Sequence, residues 1–467
     1  MGAAAVSMAA RGAVRCPALL VSAPASGQGK TTVVAALARL HTRRGQRVRV
    51  FKCGPDFLDP HWHQLASGAQ VDSLDLWMTG EVDVRARLHA AAQDCDLILV
   101  EGVMGLFDGQ PSAADLAEHL GLPVLAVVDA SAMAGTFGAL AYGLQHYQSG
   151  LRWAGVLANR VATERHAQML QDGLREPAHW LGALVQVSVD EPGPAQARAS
   201  LLPERQLGLV AAQELPDALA RLDAAADALA HTPLGQMELS DWQVRWSVDF
   251  AAPDRRGVAP APALLQGRTV AVAYDAAFRF VYPANIDCLR RLGAQVVFFS
   301  PLQDAALPPC DALWLPGGYP ELHAEQLHAN ASLRASLQVH VAAGKPVWAE
   351  CGGMVALCES ITLEGGASPV PLWGLLPGHA TQQRRLAGLG PQQLVWRGHL
   401  LRGHTFHYST LASSAPEVAR TARPGTASAP GAGEALYRHG SVHASYFHAW
   451  FESSPAAVAQ LFGGGAA

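Results

Sequence analysis

A glycine-rich stretch near the start of the chain has the residue types of a phosphate-binding loop. The sequence SAPASGQGKTTVV places Gly27 and Gly29 just before Lys30. Glycine N–H groups can face a phosphate without a Cβ in the way, and a lysine at the start of a helix reaches the β- and γ-phosphates. The strict pattern G-x-x-x-x-G-K-[ST] is not met, because Pro24 stands at the first glycine position. The stretch predicts an ATP site, and a strand-to-helix turn without a ligand is the alternative.

Further oxygen and amide side chains are expected beside this loop. Thr31 offers a hydroxyl to Mg²⁺ and Thr32 offers one to a phosphate. Glu101 directly follows the apolar run LILV, and acidic residues at such strand ends lie beside the nucleotide and can hold Mg²⁺. Asn159, in LANRV, ends another strand, where it could hydrogen-bond a base edge or act as a cap. We predict Thr31 and Glu101 as the magnesium ligands.

The string FKCGPDFLDPHWH follows the second apolar run of the chain and carries three charges. Lys52, Asp56 and Asp59 are expected at the same edge of the sheet as the glycine loop. Pro55 and Pro60 stiffen the turn, so these charges are held in place. A fixed lysine beside ATP could stabilise the charge that develops during phosphoryl transfer. A rigid loop with surface charges is the alternative.

A second reactive stretch, PVWAECGGMVAL, places Cys351 between an apolar run and a Gly-Gly pair. This pattern predicts a nucleophile elbow, a strained strand-to-helix turn that exposes its side chain. A helix N-terminus lowers the pKa of a thiol, which favours the nucleophilic thiolate. A lone cysteine in apolar surroundings is more often a core residue, but the glycines and the strand-to-helix context favour a nucleophile here.

Other parts of a site for nucleophilic catalysis follow from similar patterns. The sequence LPGGYPELHA ends an apolar run with two glycines whose N–H groups could form an oxyanion hole. We assign Gly317, Gly318 and Gly352 to this oxyanion and substrate site. A general base is also required, and RGHTFHYS and SVHASYFHAWF supply four histidines. Of these we select His448, after the apolar residues SYF, as the partner of Cys351.

The order of apolar runs indicates two α/β domains. Continuous rather than alternating hydrophobicity favours parallel strands covered on both faces. We therefore predict a P-loop domain over residues 15–240, a Pro-, Ala- and Gly-rich linker over 241–266, and a second α/β domain over 267–462. The predicted strands of the first domain are PALLVSA, VRVFKCG, DLILVEG, PVLAVVDA and WAGVLANRV, and those of the second include TVAVAYD, AQVVFFS, DALWLPGG and PVWAECGG.

Composition limits the partners and the compartment. The 467 residues carry 34 basic and 39 acidic side chains without long runs of either sign, which argues against nucleic acid as the main partner. No segment approaches 18 uninterrupted apolar residues, so no transmembrane helix is expected. Seven scattered cysteines without metal-ligand spacing indicate reduced thiols. We expect a cytoplasmic protein without a membrane partner.

Taken in order, these strings resemble the cobyrinic acid a,c-diamide synthases of cobalamin biosynthesis. The resemblance covers roughly residues 17–460, and its ordered motifs are SGQGKTT, KCGPDFLDP, VEGVMGLFDG, VDASAMA, LANRV, LPERQLGLV, LPGGYPELHA, ECGGM, RGHTFHYS and ASYFHAWF. The first half is similar to dethiobiotin-synthetase-like P-loop proteins, and the second to class I glutamine amidotransferases.

The resemblance implies a two-site mechanism. Glutamine is hydrolysed at Cys351 with the help of His448, and ATP with Mg²⁺ phosphorylates a corrinoid carboxylate. Ammonia then displaces phosphate, first at the c-carboxylate and then at the a-carboxylate. A homodimer is implied by resemblance alone.

The sequence departs from the class I pattern at one position, and alternatives for the substrate and for the class of function stay open. Many class I amidotransferases carry a glutamate two residues after the histidine, where this chain has Trp450. The orientation of His448 is therefore unexplained by the pattern. The substrate could also be metal-free hydrogenobyrinic acid or a nickel-containing tetrapyrrole. The alternative of another class is a ParA-like ATPase switch with an inactive amidotransferase module.

Overall fold

The computed structural model describes residues 12–185, 204–205, 208–209, 212–253, 262–366, 368–425 and 433–463. The chain divides into two compact units, Met1–Arg256 and Gly257–Ala467. No helix within these described ranges is long and apolar enough to cross a membrane.

The first unit is built on a parallel sheet with one antiparallel addition. Its order is β3-β2-β4-β1-β5-β6-β7, and β10 pairs antiparallel with the start of β1. The strands are β1 (Val14–Ser22), β2 (Val48–Cys53), β3 (Asp72–Leu74), β4 (Leu97–Glu101), β5 (Val124–Asp129), β6 (Trp153–Val161), β7 (Trp180–Val185), the short pair β8 (Glu204–Arg205) and β9 (Gly208–Leu209), and β10 (Ser247–Phe250).

Helices connect these strands and cover the sheet. They are α1 (Lys30–Arg43), α2 (Asp59–Ser67), α3 (Glu81–Asp94), α4 (Ala113–Leu120), α5 (Thr136–His146), α6 (Glu164–Asp172), α7 (Ala218–Ala230), α8 (Pro233–Gln236) and α9 (Leu239–Trp246). Successive residues of β1 enter different cores: Leu20 packs on one face of the sheet, and Leu19 and Val21 pack on the other. Burial on both faces explains why the strands appear as continuous apolar runs.

The predicted linker over residues 241–266 is wrong in its first part. Helix α9 already occupies 239–246, and β10 pairs with β1 in the register Val14↔Phe250. Trp242 and Trp246 are buried in the core of the first unit. Local composition missed this segment because its partner, β1, lies more than 200 residues away in the sequence.

The second unit combines a mostly parallel sheet with two smaller sheets. The main sheet has the order β12-β11-β13-β14-β23-β22-β21, in which β22 and β21 are antiparallel. The smaller sheets are β16-β15-β17-β20 and β18-β19-β24. The first strands are β11 (Thr269–Ala273), β12 (Gln295–Phe299), β13 (Ala312–Leu315), β14 (Val347–Glu350), β15 (Ser360–Thr362), β16 (Val370–Pro371) and β17 (His379–Gln382).

The remaining elements of this unit complete the sheets and cover them. The later strands are β18 (Gly388–Trp396), β19 (His399–His407), β20 (Ser409–Ala412), β21 (Glu417–Arg420), β22 (Ala435–His439), β23 (Val442–Ser445) and β24 (His448–Trp450). The helices are α10 (Pro283–Arg291), α11 (Ala324–Ala329), α12 (Ala331–Ala342), α13 (Gly352–Leu357) and α14 (Pro455–Phe462). Leu313 and Trp314 of β13 enter the cores on opposite faces of the main sheet. The predicted fold class, two α/β domains with parallel sheets, is confirmed.

Candidate active sites

The glycine-rich loop of the first unit joins β1 to α1. Gly27 and Gly29 adopt positive φ values of 77° and 92°, and α1 begins at Lys30. A Cβ on Gly29 would lie 2.2 Å from Nδ2 of Asn159, so the close approach of the two segments requires glycine there. The loop therefore has the strand–loop–helix geometry that binds phosphate at a helix N-terminus.

Lys30 is held by main-chain oxygens at the mouth of this loop. Its Nζ donates to the carbonyls of Ala25, at 3.2 Å, and Met104, at 2.6 Å. Burial lowers the pKa of Lys30. Thr32 lies in the first turn of α1, as the predicted phosphate contact requires.

Asn159 contacts the phosphate loop through its side-chain amide. Its Nδ2 donates to the carbonyl of Gln28 at 2.9 Å, and its Oδ1 accepts from the N–H of Arg160. The observed contact therefore braces the loop. A hydrogen bond from Asn159 to a base edge stays a prediction.

A buried charge cluster lies at the ends of β2 and β4, behind the loop. Lys52 Nζ lies 2.6 Å from Oδ2 of Asp59 and 2.8 Å from Oε1 of Glu101. Thr31 Oγ1 lies 2.8 Å from the same oxygen of Glu101 and 3.2 Å from that of Asp59. Asp56 lies farther out, 3.6 Å from Lys52, and its carboxylate accepts from the N–H of Asp59. Four of the predicted residues thus meet in one network with Asp56 at its rim.

The close contacts within the cluster shift the pKa values of its members. Burial alone would lower the pKa of Lys52, but Asp59, Glu101 and Asp56 together raise it well above its ordinary value. Burial opposes ionisation of Glu101, yet Lys52 and His63 hold its pKa below the ordinary range. Burial and neighbouring Asp56 raise the pKa of Asp59. A second buried carboxylate beside one lysine is harder to ionise than the first.

His63 joins this network, and the sequence analysis missed it. Its ring is fully buried, and its Nε2 contacts Oε2 of Glu101, while Lys52 and Thr31 contact Oε1. His63 follows Asp59 by four residues on α2, so the two side chains share one helix face. This i, i+4 spacing is the sequence signal that could have found it.

The same oxygens fit the predicted magnesium ion. The described residues contain no group of three or more His, Cys, Asp and Glu side chains arranged to hold a metal. Mg²⁺, however, is usually bound through one or two carboxylates, with water and substrate phosphates as its other ligands. The Thr31 hydroxyl and the carboxylates of Glu101 and Asp59 supply hard oxygen donors of that kind.

Cys351 lies at a strained turn in the second unit, between β14 and α13. Its φ of 46° and ψ of −109° are uncommon for a residue with a side chain. The neighbouring segments hold this conformation, because the N–H of Cys351 donates to the carbonyl of Ser445 at 2.8 Å. Its Sγ lies 3.9 Å from the carbonyl oxygen of Phe406. The turn has the geometry of the predicted nucleophile elbow.

The predicted oxyanion glycines lie between this turn and the predicted base. A Cβ on Gly317 would lie 2.4 Å from Cε1 of His448, and a Cβ on Gly352 would lie 2.8 Å from the carbonyl oxygen of Gly318. A Cβ on Gly318 would lie 2.0 Å from the carbonyl oxygen of Ala277. These short distances exclude a side chain at each of the three glycines. The structure therefore brings the glycine pair against both Gly352 and His448.

His448 is the first residue of β24. It pairs with His404 of β19, and the two rings lie 4.9 Å apart. Its Nδ1 lies 4.0 Å from Oε2 of Glu350, the residue before the predicted nucleophile. The sequence analysis did not single out Glu350, because its proximity to His448 depends on the pairing of distant strands. Among the other histidines considered as the base, His407 lies 3.1 Å from Glu434.

The pKa of the Cys351 thiol is shifted in the direction opposite to the one predicted from the sequence. Burial raises the pKa of the Cys351 thiol, and the charge of Glu321 adds to this, while the N–H of Gly352 opposes it. The expected lowering by the helix N-terminus is therefore wrong, because α13 is short and burial outweighs it. Burial also lowers the pKa of His448 well below its usual range, with His404 and His407 contributing. Both shifts favour the uncharged forms, a thiol at Cys351 and a neutral imidazole at His448.

Comparisons with known proteins match one family model in each unit. The family described as CobQ/CobB/MinD/ParA nucleotide binding domain matches residues 19–191, and the CobB/CobQ-like glutamine amidotransferase domain matches residues 269–456. A hydrogenobyrinate a,c-diamide synthase of Stutzerimonas stutzeri is 53% identical over 446 residues, covering 96% of this chain and 98% of its own. One of Pseudomonas aeruginosa is 52% identical over 447 residues, covering 96% and 97%. A cobyrinate a,c-diamide synthase of Herminiimonas arsenicoxydans is 46% identical over 449 residues, covering 95% and 96%.

The fold, the two sites and these matches define a glutamine-hydrolysing carbon–nitrogen ligase that uses a nucleotide. The chain belongs to the hydrogenobyrinate/cobyrinate a,c-diamide synthase family, across nearly its whole length. The ParA-like switch is not supported, because these relatives match nearly the whole chain and are named as a,c-diamide synthases.

Proposed function

We propose that this enzyme uses ATP and glutamine to amidate the a- and c-carboxylates of a corrin ring, with metal-free hydrogenobyrinate as its substrate. The observation that carries the proposal is that one chain holds both a strained cysteine turn with a histidine partner and a phosphate loop backed by a lysine–carboxylate cluster. The first liberates ammonia, and the second activates an organic acid to receive it.

In the amidotransferase half, Cys351 is the nucleophile and His448 the base. The proton of the thiol moves to the imidazole, and the sulfur attacks the side-chain amide carbon of glutamine. Backbone N–H groups at Gly317, Gly318 and Gly352 are the proposed donors to the oxyanion. The imidazolium returns its proton to the departing ammonia, and water then hydrolyses the thioester to glutamate.

In the synthetase half, a carboxylate oxygen of the corrin attacks the γ-phosphorus of ATP, and ADP leaves. Lys30 and the loop glycines bind the phosphates, and Lys52 stabilises the charge that develops on the transferred group. Thr31, Glu101 and Asp59 would hold Mg²⁺, which neutralises phosphate charge when bound. Ammonia then attacks the acyl phosphate, and phosphate leaves as the amide forms.

The relatives support the metal-free macrocycle over the cobalt-loaded one. The two at 53% and 52% identity are named for hydrogenobyrinate, and the one at 46% is named for cobyrinate. Cobyrinate, which the sequence analysis placed first, is therefore the second candidate. The nickel-containing tetrapyrrole has no support among these relatives.

Product analysis tests the proposal directly. The purified enzyme is incubated with ATP, Mg²⁺, glutamine and either macrocycle, and the products are counted by mass spectrometry. We expect two added amides on hydrogenobyrinic acid and a lower rate on cobyrinic acid. Failure to consume glutamine or ATP with either macrocycle would contradict the proposal.

A homodimer in the cytoplasm completes the proposal and rests on family resemblance. Light scattering after size-exclusion chromatography measures the mass in solution. A mass near twice the 49.2 kDa of the chain is expected.

A further inference from the structure

The orientation of His448 needs a group that the usual class I arrangement does not supply in this chain. The position two residues after His448 is Trp450, which is fully buried and packs edge-on against Tyr282. An indole cannot accept a proton or balance the charge of an imidazolium. A base that alternates between two protonation states in a buried site needs such a partner.

Glu350 is a carboxylate in the right place. Its Oε2 lies 4.0 Å from Nδ1 of His448, and the two side chains are 2% and 1% exposed. Its Oε1 accepts hydrogen bonds from Nε1 of Trp348, at 2.7 Å, and from the N–H of Ala449, at 3.2 Å. Oε1 therefore ties the carboxylate to Ala449, the residue after His448, and Oε2 is the oxygen nearest to Nδ1 of the imidazole.

We propose that Glu350 is the positioning residue of the glutamine-hydrolysing site, taking the role that a glutamate two residues after the histidine has elsewhere. It keeps Nδ1 of His448 protonated, which leaves Nε2 to take the proton of Cys351, and it balances the imidazolium charge. The proposal rests on the proposed roles of Cys351 and His448. Nucleophile and positioning residue are then consecutive in sequence, one on each side of the strand-to-helix turn.

A partly buried carboxylate near the site is engaged elsewhere. Glu434 lies 3.1 Å from Nε2 of His407 and accepts from the hydroxyl of Thr405 at 2.8 Å. His407 has a second acceptor in the carbonyl of Ser409. Glu434 therefore belongs to the His407 pair, whereas Glu350 lies 4.0 Å from His448.

The substitution Glu350→Gln removes the negative charge of the carboxylate and nearly keeps the shape of the side chain. Glutamine keeps an oxygen to accept from Trp348 and Ala449, so packing is preserved, but its NH₂ group faces Nδ1 of His448. That amide favours the tautomer with the proton on Nε2, which cannot accept the thiol proton. Loss of the analogous carboxylate in a serine–histidine–aspartate site lowers kcat about 10⁴-fold while geometry persists.

Glutamine hydrolysis and ammonia-dependent synthesis are measured for each variant at pH 8.5. This pH is chosen because burial raises the pKa of Glu350 to about 8. We expect E350Q to lower kcat for glutamine hydrolysis by about 100-fold or more, with KM within about threefold. Ammonia-dependent synthesis should stay within about twofold, which shows that the variant is folded. The matched control is Glu359→Gln, an exposed glutamate of the same unit that should leave both rates unchanged.

A second variant tests the proposal even if the glutamine side chain introduced at position 350 disturbs the packing. Glu350→Asp retains the charge and should be at least about tenfold more active than E350Q. The proposal is overturned if E350Q lowers kcat by less than about tenfold, or if the Asp variant is no more active than the Gln variant. Cys351→Ala serves as the reference, because it tests the proposed nucleophile. If it abolishes glutamine hydrolysis while E350Q does not, the inference about Glu350 fails and the proposed function stands.

Discussion

The two candidate sites use the same backbone architecture and opposite electrostatics. Each lies where a parallel strand ends in a turn before a helix, at Lys30 in the first unit and at Cys351 in the second. The first site favours the charged forms of Lys52 and Glu101, with Lys52 fixed between Asp59 and Glu101. The second keeps Cys351 and His448 neutral through burial.

This difference matches the charge of what each site is proposed to bind. A triphosphate arrives already charged, so its site needs fixed charges and ordered dipoles. Glutamine has an uncharged amide, and a thiolate waiting in a buried site would have no counter-charge. Charge separation between Cys351 and His448 is then confined to the reaction step.

Removing the nucleophile should have the largest effect and should separate the two sites. Cys351→Ala is expected to lower glutamine-dependent synthesis by about 10⁴-fold or more, because the thioester can no longer form. Ammonia-dependent synthesis should continue, since it needs only the first site. Cys358→Ala, a buried thiol in the same unit, is the control. Loss of both activities in a folded Cys351→Ala enzyme would show that the sites are not chemically separate.

Removing the loop lysine should affect both nitrogen sources equally. Lys30→Ala is expected to lower synthesis from glutamine and from ammonia by about 10²- to 10³-fold, because phosphate charge is no longer stabilised. Glutamine hydrolysis is then assayed alone on the same preparation. Lys345→Ala, a lysine of the second unit whose Nζ contacts the carbonyl of Cys310, is the control. Normal synthesis by Lys30→Ala would move the phosphate site elsewhere.

Removing the His63 contact with Glu101 should weaken magnesium binding at the charged site. His63→Asn removes the ring that holds Oε2 of Glu101, and residues of this kind typically alter metal affinity by about 10- to 100-fold. We expect the Mg²⁺ concentration for half-maximal synthesis to rise about tenfold, with glutamine hydrolysis unchanged. His89→Asn, on α3, is the control. An unchanged magnesium requirement would remove His63 from the site.

The smallest expected effect is a change in how thermal stability depends on pH. It tests the ionisation of Glu350, the buried acid of the second site. Burial raises the pKa of Glu350 from 4.5 to about 8. Between these values the folded chain retains a proton that the unfolded chain releases, so this residue makes stability fall as pH rises. Glu350→Gln cannot titrate, so the thermal midpoint of the variant minus that of the wild type should increase by a few degrees from pH 5.5 to 8.5. A constant difference across this range would show that Glu350 ionises normally.

The sequence predicted the elements around the sites more fully than the contacts within them. VRVFKCG and PVLAVVDA correspond to β2 and β5 within a residue or two, because buried parallel strands are continuous apolar runs. Cys351 and Lys30 were recognisable because glycine patterns mark their turns. Glu350 and β10 were missed, since each depends on a strand pairing that no local pattern encodes.

The antiparallel pairing of β10 with β1 has a practical consequence for dividing the enzyme. A shortened chain that ends at residue 240 would lose Trp242 and Trp246 and leave the outer edge of β1 uncovered at Val14–Pro17. Exposed strand edges of this kind recruit other chains and promote aggregation. A chain that ends at residue 253 keeps this closing strand, so the synthetase half should be expressed with it to give a well-behaved fragment for nucleotide-binding measurements.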